Sequence, residues 1–236
     1  MRYVISGASR GIGLEFVRQL VARGDTVEAG ARAPAEARQL ASLARESGGR
    51  LRILPLDVSN TASVRAFAAA LGDSPVDVLI NNAGVVGKLD PLPQVDFDDM
   101  GRTMEVNALG SMRMCSVLLP AVLKSGTRKI VHLTSRMSSM AENTPVGVYG
   151  FVGGAYAYRM SKAALNAGMR TMAVDFREQG LITVLINPGW VQTDGGGKMA
   201  PMRPEESVQG MLRVIDGLTL ASSGRFFDYQ GKECPL

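Results

Sequence analysis

Arg2-Tyr3-Val4-Ile5-Ser6-Gly7-Ala8-Ser9-Arg10-Gly11-Ile12-Gly13 is the stretch that decides the fold. A short run of strand-forming residues ends at Gly7, and Gly11 and Gly13 complete a Gly-x-x-x-Gly-x-Gly spacing. An amphipathic helix starts near Ile12. Gly7 permits the tight turn. Gly11 and Gly13 let the backbone approach a pyrophosphate and let the helix pack on the strand, while the helix N-terminus favours negative charge. The spacing differs from the commoner Gly-x-Gly-x-x-Gly, so a purely structural turn is the competing reading. The strand-turn-helix setting favours a dinucleotide held by Gly7, Ser9, Arg10, Gly11, Ile12 and Gly13.

Beyond the turn, apolar runs rich in branched residues alternate with helical stretches, the pattern of repeated βαβ units. Seven strands are expected near 2–6, 25–30, 51–56, 76–81, 129–134, 181–186 and 224–227. Long helices are expected near 98–124 and 155–179, the second stopped by Gly180. Val76-Asp77-Val78-Leu79-Ile80 and Lys129-Ile130-Val131-His132-Leu133 are nearly continuous apolar runs, as strands covered on both faces require. The expected architecture is a single α/β Rossmann domain over residues 1–236, a doubly wound, seven-stranded parallel sheet with helices on both faces.

Composition narrows the function. With 46% hydrophobic and 20% charged residues the chain can bury a large core. A net charge of +4, spread without a basic block, argues against nucleic acid as a partner. Cys115 and Cys234 give neither a disulfide framework nor metal-ligand spacing, so no metal is expected and a reducing, cytoplasmic setting fits. The N-terminal apolar run is too short for a signal peptide or a transmembrane segment.

The second strand is expected to end at Gly30-Ala31-Arg32, where enzymes that use NAD place a carboxylate on the ribose 2′-hydroxyl. Ala31 offers none, and Arg32 and Arg10 can both approach the ribose. The pattern therefore favours a 2′-phosphate, that is NADP(H) over NAD(H); two solvated arginines on a turn are the plainer alternative.

Tyr158-Arg159-Met160-Ser161-Lys162 places a phenol and an ammonium one helical turn apart on one face. Moving a phenol from a pKa of about 10 to about 7 needs roughly 4 kcal/mol. One ammonium at about 4 Å supplies about that much at an effective dielectric near 20. The pair is expected to lower the tyrosine and make it a general acid and base. His132, mid-strand in an apolar run, is expected to be a packed structural residue.

These motifs together resemble the short-chain dehydrogenase/reductase family, over nearly the whole chain and in the family's order. The resemblance implies roles for further residues. Asn81-Asn82-Ala83-Gly84 matches the segment after the fourth strand, with Asn82, Ala83 and Gly84 beside the cofactor, and Asp57-Val58 matches the adenine-contacting pair. Asn107 matches the asparagine of the proton relay, at a polar break in a helix that can hold a water; composition alone would make it a surface residue. Ser135 matches the serine that holds the substrate oxygen, with Ser138 and Ser139 as rivals. Pro188, Gly189, Val191 and Thr193 match the segment that holds the nicotinamide amide, and Lys162 also binds the nicotinamide ribose. The implied reaction is hydride transfer between nicotinamide and a carbonyl or secondary alcohol through a Ser-Tyr-Lys relay with Asn107.

The segments 188–194 and 223–231 resemble the sniffer-type carbonyl reductases and the C-factor-like branch of the family. The latter raises a developmental signalling role as the alternative to turnover. A sugar-nucleotide epimerase would use a similar tyrosine and lysine, but the chain lacks length for its extra substrate domain. Residues 136–157 form a long stretch expected to wall the substrate pocket. Residues 195–202 are expected to act as a lid, and Phe151, Trp190, Met199 and Met202 to line a pocket for an apolar or lipid-like carbonyl compound. Family members often pair through the two long helices, which implies a homodimer or homotetramer.

Overall fold

The alternating pattern resolves, in a computed structural model that describes residues 1–151 and 153–236, into one parallel sheet wrapped by helices. Val152, inside the stretch expected to wall the pocket, lies outside the described residues. The strands are β1 (Arg2–Ser6), β2 (Thr26–Ala31), β3 (Leu51–Pro55), β4 (Val78–Asn81), β5 (Lys129–Leu133), β6 (Ile182–Asn187) and β7 (Phe226–Asp228). Their order is β3-β2-β1-β4-β5-β6-β7, with every neighbouring pair parallel. The order reverses between β1 and β4, which opens a crevice at the carboxyl ends of the strands.

Alternate residues of each strand feed opposite layers. Tyr3 and Ile5 of β1 face α1 (Gly11–Ala22), α2 (Arg38–Glu46) and α7 (Pro204–Asp216), where Phe16, Leu20, Leu40, Met211 and Ile215 are buried in one core. Val4, Leu79 and Ile130 face the other layer, where Phe67 of α3 (Thr61–Leu71) and Met114 and Leu118 of α5 (Gly110–Leu123) pack. Full burial of side chains of this size contributes about 1.5–3 kcal/mol each.

The long helix expected near 98–124 is α4 (Phe97–Met104) joined to α5 by a π-helical turn, Glu105–Leu109. One extra residue per turn there rotates Asn107 inward, and it is fully buried rather than at the surface. The second long helix, α6 (Tyr156–Asp175), ends five residues before Gly180; Leu181 N–H reaches back to Phe176 O across a turn that Gly180 closes at φ +73°. The last strand is shorter than expected and is backed by a bridge between Phe227 and Glu233.

His132 sits in the middle of β5, fully buried, with Nδ1 3.3 Å from Asn81 Nδ2 and Nε2 3.9 Å from Cys115 Sγ. Burial, helped by the nearby Lys162 charge, pushes its pKa down to about 3. It is a neutral packing residue. Below its ordinary value of 6.5 the unfolded chain takes up a proton that the native state refuses until about pH 3. Native stability contributed by this residue is therefore lost as pH falls through that window, at up to about 1.4 kcal/mol per pH unit. Urea unfolding between pH 6.5 and 4 should show this slope, and His132→Leu should flatten it.

Candidate active site

The carboxyl ends of β1, β2, β4, β5 and β6 deliver the glycine turn, Arg32, Asn82, Ser135 and the Pro188 segment to one side of the sheet. There a cleft of about 710 Å³ is lined by every residue the sequence assigned to the cofactor, and also by Ser135. Tyr158 and Lys162 enter from α6.

At the glycine turn the fit is set by the absence of Cβ atoms. Gly7 has φ +66°, a left-handed value that favours glycine. A Cβ on Gly13 would lie 2.2 Å from Gly7 O and 2.5 Å from Asn82 Nδ2. Asn82 closes the same knot: its amide donates to Ser6 O and Gly7 O, both at 2.9 Å, and its own N–H donates to Ser6 Oγ at 3.1 Å. Its side chain thus holds the turn from beneath. No side chain caps α1 among the described residues, and its first turn carries no acidic residue. The N–H groups at that end are left to meet an anion.

At the far end of the cleft, Asp57 accepts from Ser59 N–H at 2.9 Å and Ser59 Oγ at 2.6 Å. The Ser59 hydroxyl holds this carboxyl below its ordinary range, with Arg32 adding a smaller push. Arg32 is exposed, and Arg10 pairs with Asp194 at 2.9 Å, both side chains largely in solvent. Asp194 carried no sequence signal for this pairing, because the fold brings Arg10 to it, whereas Ser59 acts locally on Asp57 two residues before it.

The end of the cleft at Tyr158 and Lys162 is more buried. Lys162 is 5% exposed, and its Nζ donates to Leu133 O at 2.8 Å and lies 6.0 Å from the centre of the Tyr158 ring. With no carboxylate beside it, burial pushes its pKa down to about 8. Burial raises the Tyr158 phenol above its ordinary value, against a smaller lowering by the Ser135 hydroxyl. This corrects the expectation of a lowered phenol. The ammonium spends a bond on a main-chain carbonyl, and desolvation of the buried phenol prevails.

Ser135, 7% exposed, ends β5 and accepts from Met137 N–H at 3.1 Å. Its rivals are committed elsewhere. Ser138 Oγ bonds to Ser135 O and accepts from Asn166 Nδ2 at 2.8 Å, while Ser139 Oγ donates to Leu236 O at 3.1 Å.

Asn107 is wired in from behind. Its Oδ1 accepts from Val85 N–H at 2.8 Å, and its Nδ2 donates to Val85 O at 2.8 Å and Ser161 Oγ at 2.9 Å. Ser161 Oγ in turn donates to Tyr158 O at 2.8 Å. A Cβ on Gly84 would stand 3.2 Å from Asn107 Oδ1 and 3.4 Å from Lys162 Nζ, so this glycine leaves room where the two meet.

A family model for short chain dehydrogenases matches residues 2–204. The chain belongs to that family. It is an oxidoreductase by descent, and its relatives share more than the fold. It is 55% identical to C-signal of Myxococcus xanthus over 172 residues, 73% of this chain and 99% of that protein. Among solved structures it is similar to an NADPH-bound carbonyl reductase from chicken fatty liver, with TM-score 0.92 and 32% identity over 100% of this chain and 98% of that one. It is also similar to the carbonyl reductase Sniffer of D. melanogaster, with TM-score 0.93 and 28% identity over 100% and 99%.

In this short-chain dehydrogenase the wall of the substrate side is aromatic. Phe151 meets Trp190 edge-on with ring centres 5.6 Å apart, and Tyr149 lies 6.3 Å from Trp190. Both come from the 136–157 stretch and line the cleft with Met137 and Leu89. The two methionines expected there do not join them. Met199 is 85% exposed, and Met202 sits against Gly189, beside a main-chain bond from Gln192 N–H to Met202 O at 2.8 Å. The 195–202 segment is tied to the chain just before it: Trp190 Nε1 donates to Gly196 O at 2.7 Å and Gln192 Nε2 to Ala200 O at 2.9 Å.

Asn107→Ala would leave Val85 N–H and C=O without side-chain partners. We expect a loss of about 2–4 kcal/mol in urea unfolding, together with a fall in turnover.

Proposed function

We propose that this dehydrogenase is an NADP(H)-dependent reductase of carbonyl compounds whose proton chemistry is carried by Ser135, Tyr158, Lys162 and Asn107. The observation that carries this reading is one cleft running from Arg10 and Arg32, beside a second strand that ends without a carboxylate, to Ser135, Tyr158 and Lys162. The uncapped first turn of α1 fits a pyrophosphate. The two guanidinium groups fit a 2′-phosphate, for which Arg10 would exchange its exposed bond to Asp194. Structural relatives that hold NADPH or NADP support the same cofactor.

When bound, nicotinamide supplies or accepts the hydride. Pro188, Gly189, Val191 and Thr193 would hold its amide end, Asp57 and Val58 its adenine, and Asn82, Ala83 and Gly84 the span between. Ser135 Oγ and the Tyr158 hydroxyl polarise the carbonyl oxygen. Tyr158 then donates its proton, and burial suits it to reduction because it keeps the phenol protonated. Lys162, titrating near 8, is charged at neutral pH and stabilises the phenolate left behind. Asn107 braces the Lys162 side of the site and fixes Tyr158 through Ser161.

A second reading is favoured by the 55% identity to C-signal: a cofactor-binding signal in which the fold counts for more than turnover. Assaying Tyr158→Phe separates the two. Under the reductase reading the variant loses about 10²–10⁴-fold in kcat while NADPH affinity, read by fluorescence titration, stays near that of the parent. Retention of most turnover would overturn the Tyr158 assignment, and no turnover by the parent on aldehydes, ketones and secondary alcohols favours the signal. Arg32→Ala and Arg10→Ala should each weaken NADPH binding by roughly tenfold to a hundredfold and leave NADH binding nearly unchanged.

A further inference from the structure

Inside the Tyr-x-x-x-Lys motif stands a residue that the reaction does not use. Arg159 follows Tyr158 on α6 and is 9% exposed, and no carboxylate pairs with it among the described residues. Its guanidinium is spent on main-chain carbonyls. Nε donates to Gly154 O at 3.1 Å, Nη1 to Met137 O at 3.1 Å, and Nη2 to Phe151 O at 3.1 Å and Gly153 O at 3.3 Å. A buried cation without an anionic partner is costly, and burial lowers its pKa. An arginine so placed has to be satisfied by its hydrogen bonds.

The carbonyls it gathers belong to the wall of the substrate compartment. Phe151 presses on Trp190, and Met137 lies two residues after Ser135. The backbone there is strained: Tyr149 and Ala155 hold left-handed φ of +55° and +53°, with Gly150, Gly153 and Gly154 left-handed between them. Left-handed non-glycine residues are unfavourable and persist only where surrounding contacts over-determine them. The guanidinium fork is such a contact, and it ties the wall and the Ser135 turn to the helix that carries Tyr158 and Lys162.

We propose that Arg159 is a positioning residue that sets the shape of the carbonyl pocket, fixing the Tyr149–Phe151 wall against Trp190 and so governing which carbonyl compounds fit. The specificity part of the proposal rests on the reductase reading above; the wall-fixing part does not. A lysine cannot take its place, because a single ammonium cannot span four carbonyls in a fork.

The test uses Arg159→Lys and Arg159→Met in the full chain. Trp190 is the one tryptophan, so its emission reports the wall directly in cofactor-free protein. With far-UV circular dichroism unchanged, both variants should show red-shifted emission, stronger acrylamide quenching and faster proteolysis between Gly147 and Gly154. NADPH affinity should hold within a few-fold, since the glycine turn and the arginines proposed for its phosphates lie away from the wall. KM for a bulky aryl ketone should rise about tenfold or more, while KM for a small aldehyde and kcat for both change little. Parent-like Trp190 emission, quenching and proteolysis in either variant would overturn the proposal. So would an equal loss of kcat/KM on the small and bulky carbonyls, which would place Arg159 behind Tyr158 chemistry instead. If Arg159→Met does not fold, Arg159→Lys decides alone. If the parent reduces neither carbonyl, the reductase reading fails, while emission and proteolysis still judge the wall.

Discussion

The close approach of α1 to the end of β1 is the constraint on which the rest of the site depends. Gly13 lies so near Gly7 O that even one methyl carbon would collide with backbone, and the Asn82 amide, just past β4, holds the turn by donating to Ser6 O and Gly7 O. The approach aims the first turn of α1 into the crevice at the point where strand order reverses. Asp57, Asn82 and the Pro188 segment follow the carboxyl ends of β3, β4 and β6, so the parallel sheet brings them to the same edge as the turn.

The Tyr158–Lys162 end of the cleft obeys a different physics. Its polar groups are nearly all buried, and each is held by main chain: Lys162 by Leu133 O, Ser135 by Met137 N–H, Asn107 by both backbone groups of Val85. Such anchoring fixes direction without neutralising charge. Lys162 keeps a cation in a dry setting with a depressed pKa, and Tyr158 keeps its proton. Preorganisation of this kind costs folding stability and removes reorganisation at the moment of reaction. The wall around Tyr149 and Phe151 follows the same rule, with a buried guanidinium gathering strained carbonyls.

Much of this was legible from local pattern. The glycine turn, the apolar strands and the Tyr158–Lys162 spacing each rest on residues a few positions apart, whose geometry local backbone rules nearly dictate. The resemblance to a family supplied Ser135 and the 188–193 segment, which spacing could not. Asn107 was unreadable from composition because a π-helical turn, not a regular helix, rotates it inward. The direction of the Tyr158 shift was missed for a similar reason: sequence gives the separation of two groups along a helix, not the water removed around them or the third group that captures the ammonium. Met199 and Met202 read as pocket-lining by their chemistry, yet exposure and packing on Gly189 take them away.

Amino-acid order by itself determined the parallel α/β architecture, the dinucleotide turn and the pairing of phenol with ammonium, because periodicity and short-range sterics act within a turn or a strand. Tertiary structure alone decided which arginine pairs with Asp194, which carbonyls Arg159 gathers, and how far burial moves Tyr158, Lys162 and His132 from their ordinary values. Those outcomes depend on desolvation and on partners that only the folded chain brings together, Asp194 to Arg10 and Met137 to Arg159 among them.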